Sequence, residues 1–159
     1  ILAVLLYCGL KIHEVVELKR NDIDINKQVI TVTRKKNRLN QSPIANEALP
    51  FLNSYLEKTK NGTTMTSFVF RSSHDQQISP RTIRQILNKI TVYKNVSPEL
   101  CRKTFGYYVL LYFNDMDIVN YLYGNRYVNK HDFEEVHKRM LNFSYKELST
   151  VSKTRNNKI

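Results

Sequence analysis

The segment LLYCGLKIHEVVELKRNDIDINKQVITV, residues 5–32, changes its hydrophobic pattern twice. An apolar run ends at Gly9, and the next apolar residues recur at helical spacing up to Leu18. The turn formers NDIDIN (21–26) follow, and QVITVT (28–33) then alternates as a β-strand does. We therefore predict two short helices over 1–8 and 12–20, separated by Gly9, and then a turn and a strand.

The chain beyond this segment predicts a hairpin and then a series of helices. The basic stretch RKKNRLNQ (34–41) and SPIA (42–45) complete a β-hairpin whose tip carries Arg34, Lys35, Lys36 and Arg38. Ser79-Pro80 and Ser97-Pro98 are typical helix starts, because serine caps the first free N–H groups and proline suits the first turn. Further helices are predicted over 46–59, 115–124 and 131–141. The fold class is mainly α, with a small antiparallel β-hairpin or sheet near the N-terminus.

Charge is the first feature that points to a partner. Lys and Arg number 25 against 14 Asp and Glu, which makes the formal net charge +11 in 159 residues. Such a surplus favours a polyanion such as nucleic acid, although it also fits a merely solubilising charge. Cys8 and Cys101 lie in apolar surroundings without metal-ligand spacing, so we expect buried thiols, no metal site and no disulfide. The apolar start is too short to span a membrane, and we expect a cytoplasmic protein.

Three segments, in the right order, resemble the conserved boxes of the catalytic domain of tyrosine recombinases, the phage integrase family. Residues 5–32 resemble the first box, a helix Leu-x-Tyr-x-Thr-Gly-Leu-Arg-x-x-Glu followed by an Asp-Ile-Asp turn and a strand. SPELCRKTF (97–105) is similar to the second box, and DIVNYLYGN (117–125) to the segment that ends in Leu-Gly-His. The resemblance implies the DNA breaking-rejoining fold over residues 1–149. We expect residues 150–159 to be a polar tail, and residue 1 to be a cut in a longer chain with an N-terminal DNA-binding domain.

The resemblance also implies which positions would carry the family's chemistry, which needs no cofactor. Two arginines hold the scissile phosphate, a hairpin lysine and histidines move protons, and a tyrosine attacks phosphorus. By position, Arg102 and either Lys35 or Lys36 keep their roles. Lys11 keeps the charge of the first arginine and loses its planar fork. The remaining positions have lost theirs: Glu99 and Lys103 stand for histidines of the second box, Asn125 for the histidine after glycine, and Phe133 for the tyrosine. Tyr127, in the basic turn NRYVNK, is the best substitute nucleophile.

Three readings of function follow from these positions. The first is a recombinase-family domain that binds double-stranded DNA and in which cleavage is weak or absent, acting beside an active recombinase or as a relic of a mobile element. We place Arg34, Arg38, Arg81, Arg84 and Lys103 on that DNA. The second is an active, divergent integrase with a relocated tyrosine. The third is an accessory module that contacts other recombinase protomers through its C-terminal segment. Aromatic residues of the helix after Ser97 are interpreted as core: Phe105, Tyr107, Tyr108, Tyr112 and Phe113.

Overall fold

The computed structural model describes residues 1–34, 38–72, 74, 76–90, 96–124, 128–134 and 136–138, with only the backbone of residue 38. Its helices and strands are α1 (Leu2–Tyr7), α2 (Ile12–Glu17), β1 (Ile23–Asp24), β2 (Val29–Arg34), β3 (Arg38–Pro43), α3 (Leu49–Lys58), α4 (Pro80–Ile90), α5 (Pro98–Phe113) and α6 (Met116–Leu122). Three-residue or four-residue 3-10 turns lie at Arg20–Asp22, Asn46–Ala48 and Lys130–Phe133. The predicted fold class, mainly α with a small antiparallel sheet near the N-terminus, is confirmed.

The first box folds as its pattern predicts, and Gly9 separates the two helices. Gly9 has a φ of 62°, and a Cβ there would lie 2.3 Å from Cδ1 of Phe105. Both facts favour glycine, because other residues rarely adopt this φ and none would fit against the ring. The second helix ends at Glu17 rather than at residue 20, since Lys19 pairs with Phe68 as an isolated β-bridge.

The sheet is a three-stranded antiparallel meander in the order β1-β2-β3. The hairpin runs from the pair Val29–Pro43 to the pair Arg34–Arg38. Ile30 and Val32 are buried on one face of β2, as the alternation predicts. Residues 35–37 lie outside the described part of the chain.

Two clusters of buried side chains hold the fold together. The larger cluster joins α1, α2, the sheet, α3, α4 and the start of α5, and it includes Cys8 and Cys101, both free and buried as expected. Burial raises the pKa of the Cys8 thiol to about 12 and that of Cys101 to about 11. The smaller cluster joins α5, α6 and the turn after residue 128: Phe105, Val119, Tyr123, Val128 and Phe133. Within the described residues, no helix is both long and apolar enough to cross a membrane.

Helix α5 starts where the Ser97-Pro98 signal places it, since Oγ of Ser97 accepts a hydrogen bond from the Leu100 backbone N–H at 3.1 Å. Its beginning packs inside the domain, with Phe105 buried. Its end does not: Tyr108, Tyr112 and Phe113 are exposed, so the interpretation of these three as core is wrong. The end of α5 extends beyond the core on which its beginning packs, and the apolar composition of the helix does not show where this happens.

Candidate functional site

A cleft with a volume of about 320 Å³ opens between the starts of α2 and α5 and the exposed face of α4. We call it the α2–α5 cleft. It is lined by side chains from three separate stretches of sequence: Lys11, Ile12, His13, Arg84, Ser97, Pro98, Glu99 and Arg102. Lys11, Arg84 and Arg102 carry positive charges, His13 adds an imidazole, and Glu99 is a carboxylate. The fold therefore brings Lys11, Arg102 and Glu99 together at one surface, with Arg84 beside them.

Arg102 is the buried wall of this cleft. Its side chain is only 5% exposed, and Nη1 donates to the Gly9 carbonyl at 2.6 Å while Nη2 lies 3.4 Å from the Tyr123 carbonyl. The guanidinium carbon also lies 4.3 Å from the centroid of the Tyr123 ring. Burial lowers the pKa of Arg102, and the nearby Glu14 charge opposes that shift. Because backbone carbonyls and a ring hold the guanidinium, its position is fixed before any ligand arrives.

Glu14 is a residue of this site that our sequence analysis gave no role. Its side chain is 1% exposed; one oxygen accepts from the Lys11 backbone N–H at 2.7 Å, and the other from Nε of Arg34 at 2.8 Å. Burial alone raises the pKa of Glu14, but these hydrogen bonds, with the charges of Arg34 and Arg102, hold it below 4.5. The sequence signal that could have identified Glu14 is an acidic residue in the first turn of a helix, three residues after the N-cap.

Arg34 does not lie on the outside of the hairpin, where we expected it. Its side chain is 6% exposed, and besides Glu14 it contacts the Leu122 carbonyl, to which Nη1 donates at 2.8 Å. Gly124 makes room for it, since a Cβ there would lie 2.7 Å from Cδ of Arg34. The strand period could have revealed this, because Arg34 continues the inward-facing series of Ile30 and Val32. The expected surface position of Arg34 is thus corrected.

Phe133, which stands where we placed the family's tyrosine, lies inside the smaller cluster. It is 2% exposed, and its ring meets that of Tyr123 edge to face with centroids 6.3 Å apart. Tyr123 itself is buried, donates its hydroxyl to the Arg102 carbonyl at 2.6 Å, and has its pKa raised by burial. Neither ring presents a reactive hydroxyl to the α2–α5 cleft.

The other predicted site residues divide into three groups. Arg81 and Arg84 are exposed on α4, and of the two only Arg84 lines the cleft; Lys103 is half-buried on α5. Arg38 belongs to β3, and its side chain is not described. Lys35, Lys36, Asn125 and Tyr127 lie outside the described residues, as does the tail over 150–159. Within the described part of the chain, no three His, Cys, Asp or Glu side chains are grouped as metal ligands would be.

Comparison with known proteins identifies the class to which this fold and site belong. Residues 1–129 match the Phage integrase family, and the chain therefore belongs to that family. The tyrosine recombinase XerC of Pelotomaculum thermopropionicum is 30% identical over 128 residues, which cover 74% of this chain and 42% of that protein. The chain spans about two fifths of the length of the curated relatives it matches.

Solved structures share the fold. The crystal structure of XerA recombinase superposes with a TM-score of 0.72 at 23% identity, over 87% of this chain and 56% of that one. The XerH site-specific recombinase bound to difH substrate superposes with a TM-score of 0.63 at 13% identity, over 86% of this chain and 44% of that one. The recombinase resemblance of the three boxes is thus confirmed.

Proposed function

We propose that this domain binds double-stranded DNA by its backbone phosphates at the α2–α5 cleft and cleaves it weakly or not at all. The observation that carries the proposal is the convergence of Lys11, Arg84 and Arg102 on one concave surface. A net charge of +11 supplies the long-range attraction that such contacts need. Phosphate contacts of this kind position a protein on DNA without reading its sequence.

Relatives give this proposal its context. The XerH recombinase was solved on its difH substrate, and the Tn1549 transposon integrase was solved with circular intermediate DNA. We propose DNA as the partner of this chain too. The proposal includes contact with other recombinase protomers and action in the cytoplasm. It also includes Lys35 and Lys36, which lie outside the described residues, as further contacts to the same DNA.

Impaired cleavage is supported by three features around the cleft. Glu99 lines it with a carboxylate, which repels a phosphate instead of assisting proton transfer. Phe133 has no hydroxyl and is buried, and the Tyr123 phenol is buried and hydrogen-bonded to a backbone carbonyl. An in-line attack requires a nucleophile placed against the phosphate, and these two rings are placed in the core.

Binding is tested by the salt dependence of duplex affinity, measured by fluorescence anisotropy. Replacing Arg84 with alanine removes one phosphate contact, so the slope of log K against log salt should decrease in magnitude by about 0.9. Lys27→Ala is the matched control: it also removes one positive charge, but this side chain is 79% exposed in the β1–β2 turn and lies outside the cleft. Equal slopes for both variants and the wild type would contradict the assignment of the cleft.

Cleavage is tested separately with a nicked suicide duplex, on which an active tyrosine recombinase becomes trapped as a covalent adduct. We expect no adduct on a denaturing gel after prolonged incubation. An adduct that disappears in the Tyr127→Phe variant would establish the divergent integrase instead, with a relocated nucleophile.

A further inference from the structure

Three ionised side chains are buried together beside the α2–α5 cleft, and their charges do not balance. The Glu14 cluster, as we call it, consists of Glu14, Arg34 and Arg102, whose side chains are 1%, 6% and 5% exposed. Two guanidinium groups and one carboxylate leave one positive charge in excess. Among the residues that the structure describes, Nη2 of Arg34 moreover has no hydrogen-bond partner, although it is buried. Unbalanced charge is costly in a buried environment, so this cluster favours an added anion.

Glu14 is shared unequally between the two arginines. Nε of Arg34 hydrogen-bonds one carboxylate oxygen at 2.8 Å. Nη1 of Arg102 lies 3.7 Å from the other oxygen, within ion-pair range but too far for a hydrogen bond. That second oxygen already accepts from the Lys11 backbone N–H, and Nη1 of Arg102 donates to Gly9 instead. The carboxylate is thus neutralised mainly by Arg34, and the surplus charge belongs to Arg102, the member of the cluster that lines the cleft. Glu99, in the same cleft, also favours the charged form of Arg102, but less than Glu14 does.

We propose that Arg34 is a positioning residue of the phosphate site: by pairing with Glu14 it leaves the positive charge of Arg102 free for a phosphate oxygen in the cleft. This inference rests on the proposed function. It assigns to Arg34, at the end of β2, an effect on phosphate binding although Arg34 does not line the cleft. Without Arg34, Arg102 is the charged partner that the described residues leave to the buried carboxylate, and the pair becomes neutral. A neutral pair offers an oxyanion little attraction, even though Arg102 is still present.

Four proteins separate this role from simple structural support. The cluster keeps its surplus charge in the wild type, in Arg34→Lys, and in the double variant Glu14→Gln/Arg34→Gln, in which both charges of the pair are removed. Only Arg34→Gln abolishes the surplus. We therefore expect Arg34→Gln to bind inorganic phosphate about tenfold more weakly, the loss of one charge-assisted contact. The double variant and Arg34→Lys should bind it nearly as the wild type does.

The measurements are calorimetric titration with inorganic phosphate at constant ionic strength and anisotropy with a DNA duplex. Arg20→Gln is the matched control, since Arg20 is also held by backbone carbonyls, at 2.6 Å from Leu56, but lies outside the cleft. Circular dichroism verifies that each variant is folded. Should Arg34→Gln fail to fold, Arg34→Met takes its place, because it removes the same charge while keeping an unbranched side chain, and the same loss of phosphate affinity is expected.

Restored phosphate affinity in the double variant supports the inference, because a structural defect would worsen when a second buried residue is changed. Unchanged affinity in folded Arg34→Gln, or a loss in the folded double variant equal to that in Arg34→Gln, overturns it. The proposed function fails separately, if the wild type binds no duplex at low salt. If the wild type binds the duplex and Arg34→Gln binds it equally well, only the role of Arg34 is contradicted.

Discussion

Replacing Phe133 with tyrosine adds one hydroxyl at the position where we placed the family's nucleophile. The ring it joins is 2% exposed, meets the Tyr123 ring at an interplanar angle of 87°, and touches α5 at Gly106. Gly106 is closely packed: a Cβ there would lie 2.8 Å from Cε1 of Phe133. The new hydroxyl therefore enters a filled apolar cluster instead of the cleft. We expect no covalent adduct with a suicide duplex and a loss of stability.

The magnitude follows from burying an unsatisfied hydroxyl, which costs about 1–3 kcal/mol. In a chain of this size each kcal/mol lowers Tm by about 2–4 °C, so the change is measurable by thermal and urea denaturation. Phe113→Tyr is the matched control, because Phe113 is 52% exposed at the end of α5. That variant should differ from the wild type by no more than about 0.5 kcal/mol. Full stability in Phe133→Tyr, or an adduct formed by it, would refute the buried placement of this side chain.

Two further predictions concern the same core. Gly106→Ala should destabilise the domain by about 1–2 kcal/mol in urea denaturation, because the added Cβ would lie 2.5 Å from Oη of Tyr123. This loss should exceed the gain from the better helix propensity of alanine. A gain in stability would show that the rings of Tyr123 and Phe133 move aside at little cost. Glu14 has a lowered pKa, so its carboxylate contributes stability above the ordinary value of 4.5, and this contribution is lost as pH falls through the folded-state pKa. Urea denaturation at pH 7 and at pH 3 measures the difference in stability between the wild type and Glu14→Gln/Arg34→Gln. This difference should be smaller at pH 3. A difference independent of pH would contradict the charged state of Glu14.

Local sequence determined the elements of this fold and their order. Contacts within a few residues determine the cap at Ser97, the break at Gly9 and the alternation along β2. These features can therefore be predicted from the sequence. Together with the three boxes they were sufficient to predict the family and to select Lys11, Glu99 and Arg102 as neighbours. The hairpin and the succession of helices were predicted for the same reason.

Only the tertiary structure decided the partners of the charged groups. The alternation along β2 places Arg34 on the inward-facing side of the strand, but its partners, the Glu14 carboxylate and a carbonyl at the end of α6, come from distant parts of the sequence. Arg84 lines the cleft and its neighbour Arg81 does not, a difference set by how α4 packs on α2. The energy of a buried charge depends on every group around it, and those groups come together only when the chain has folded.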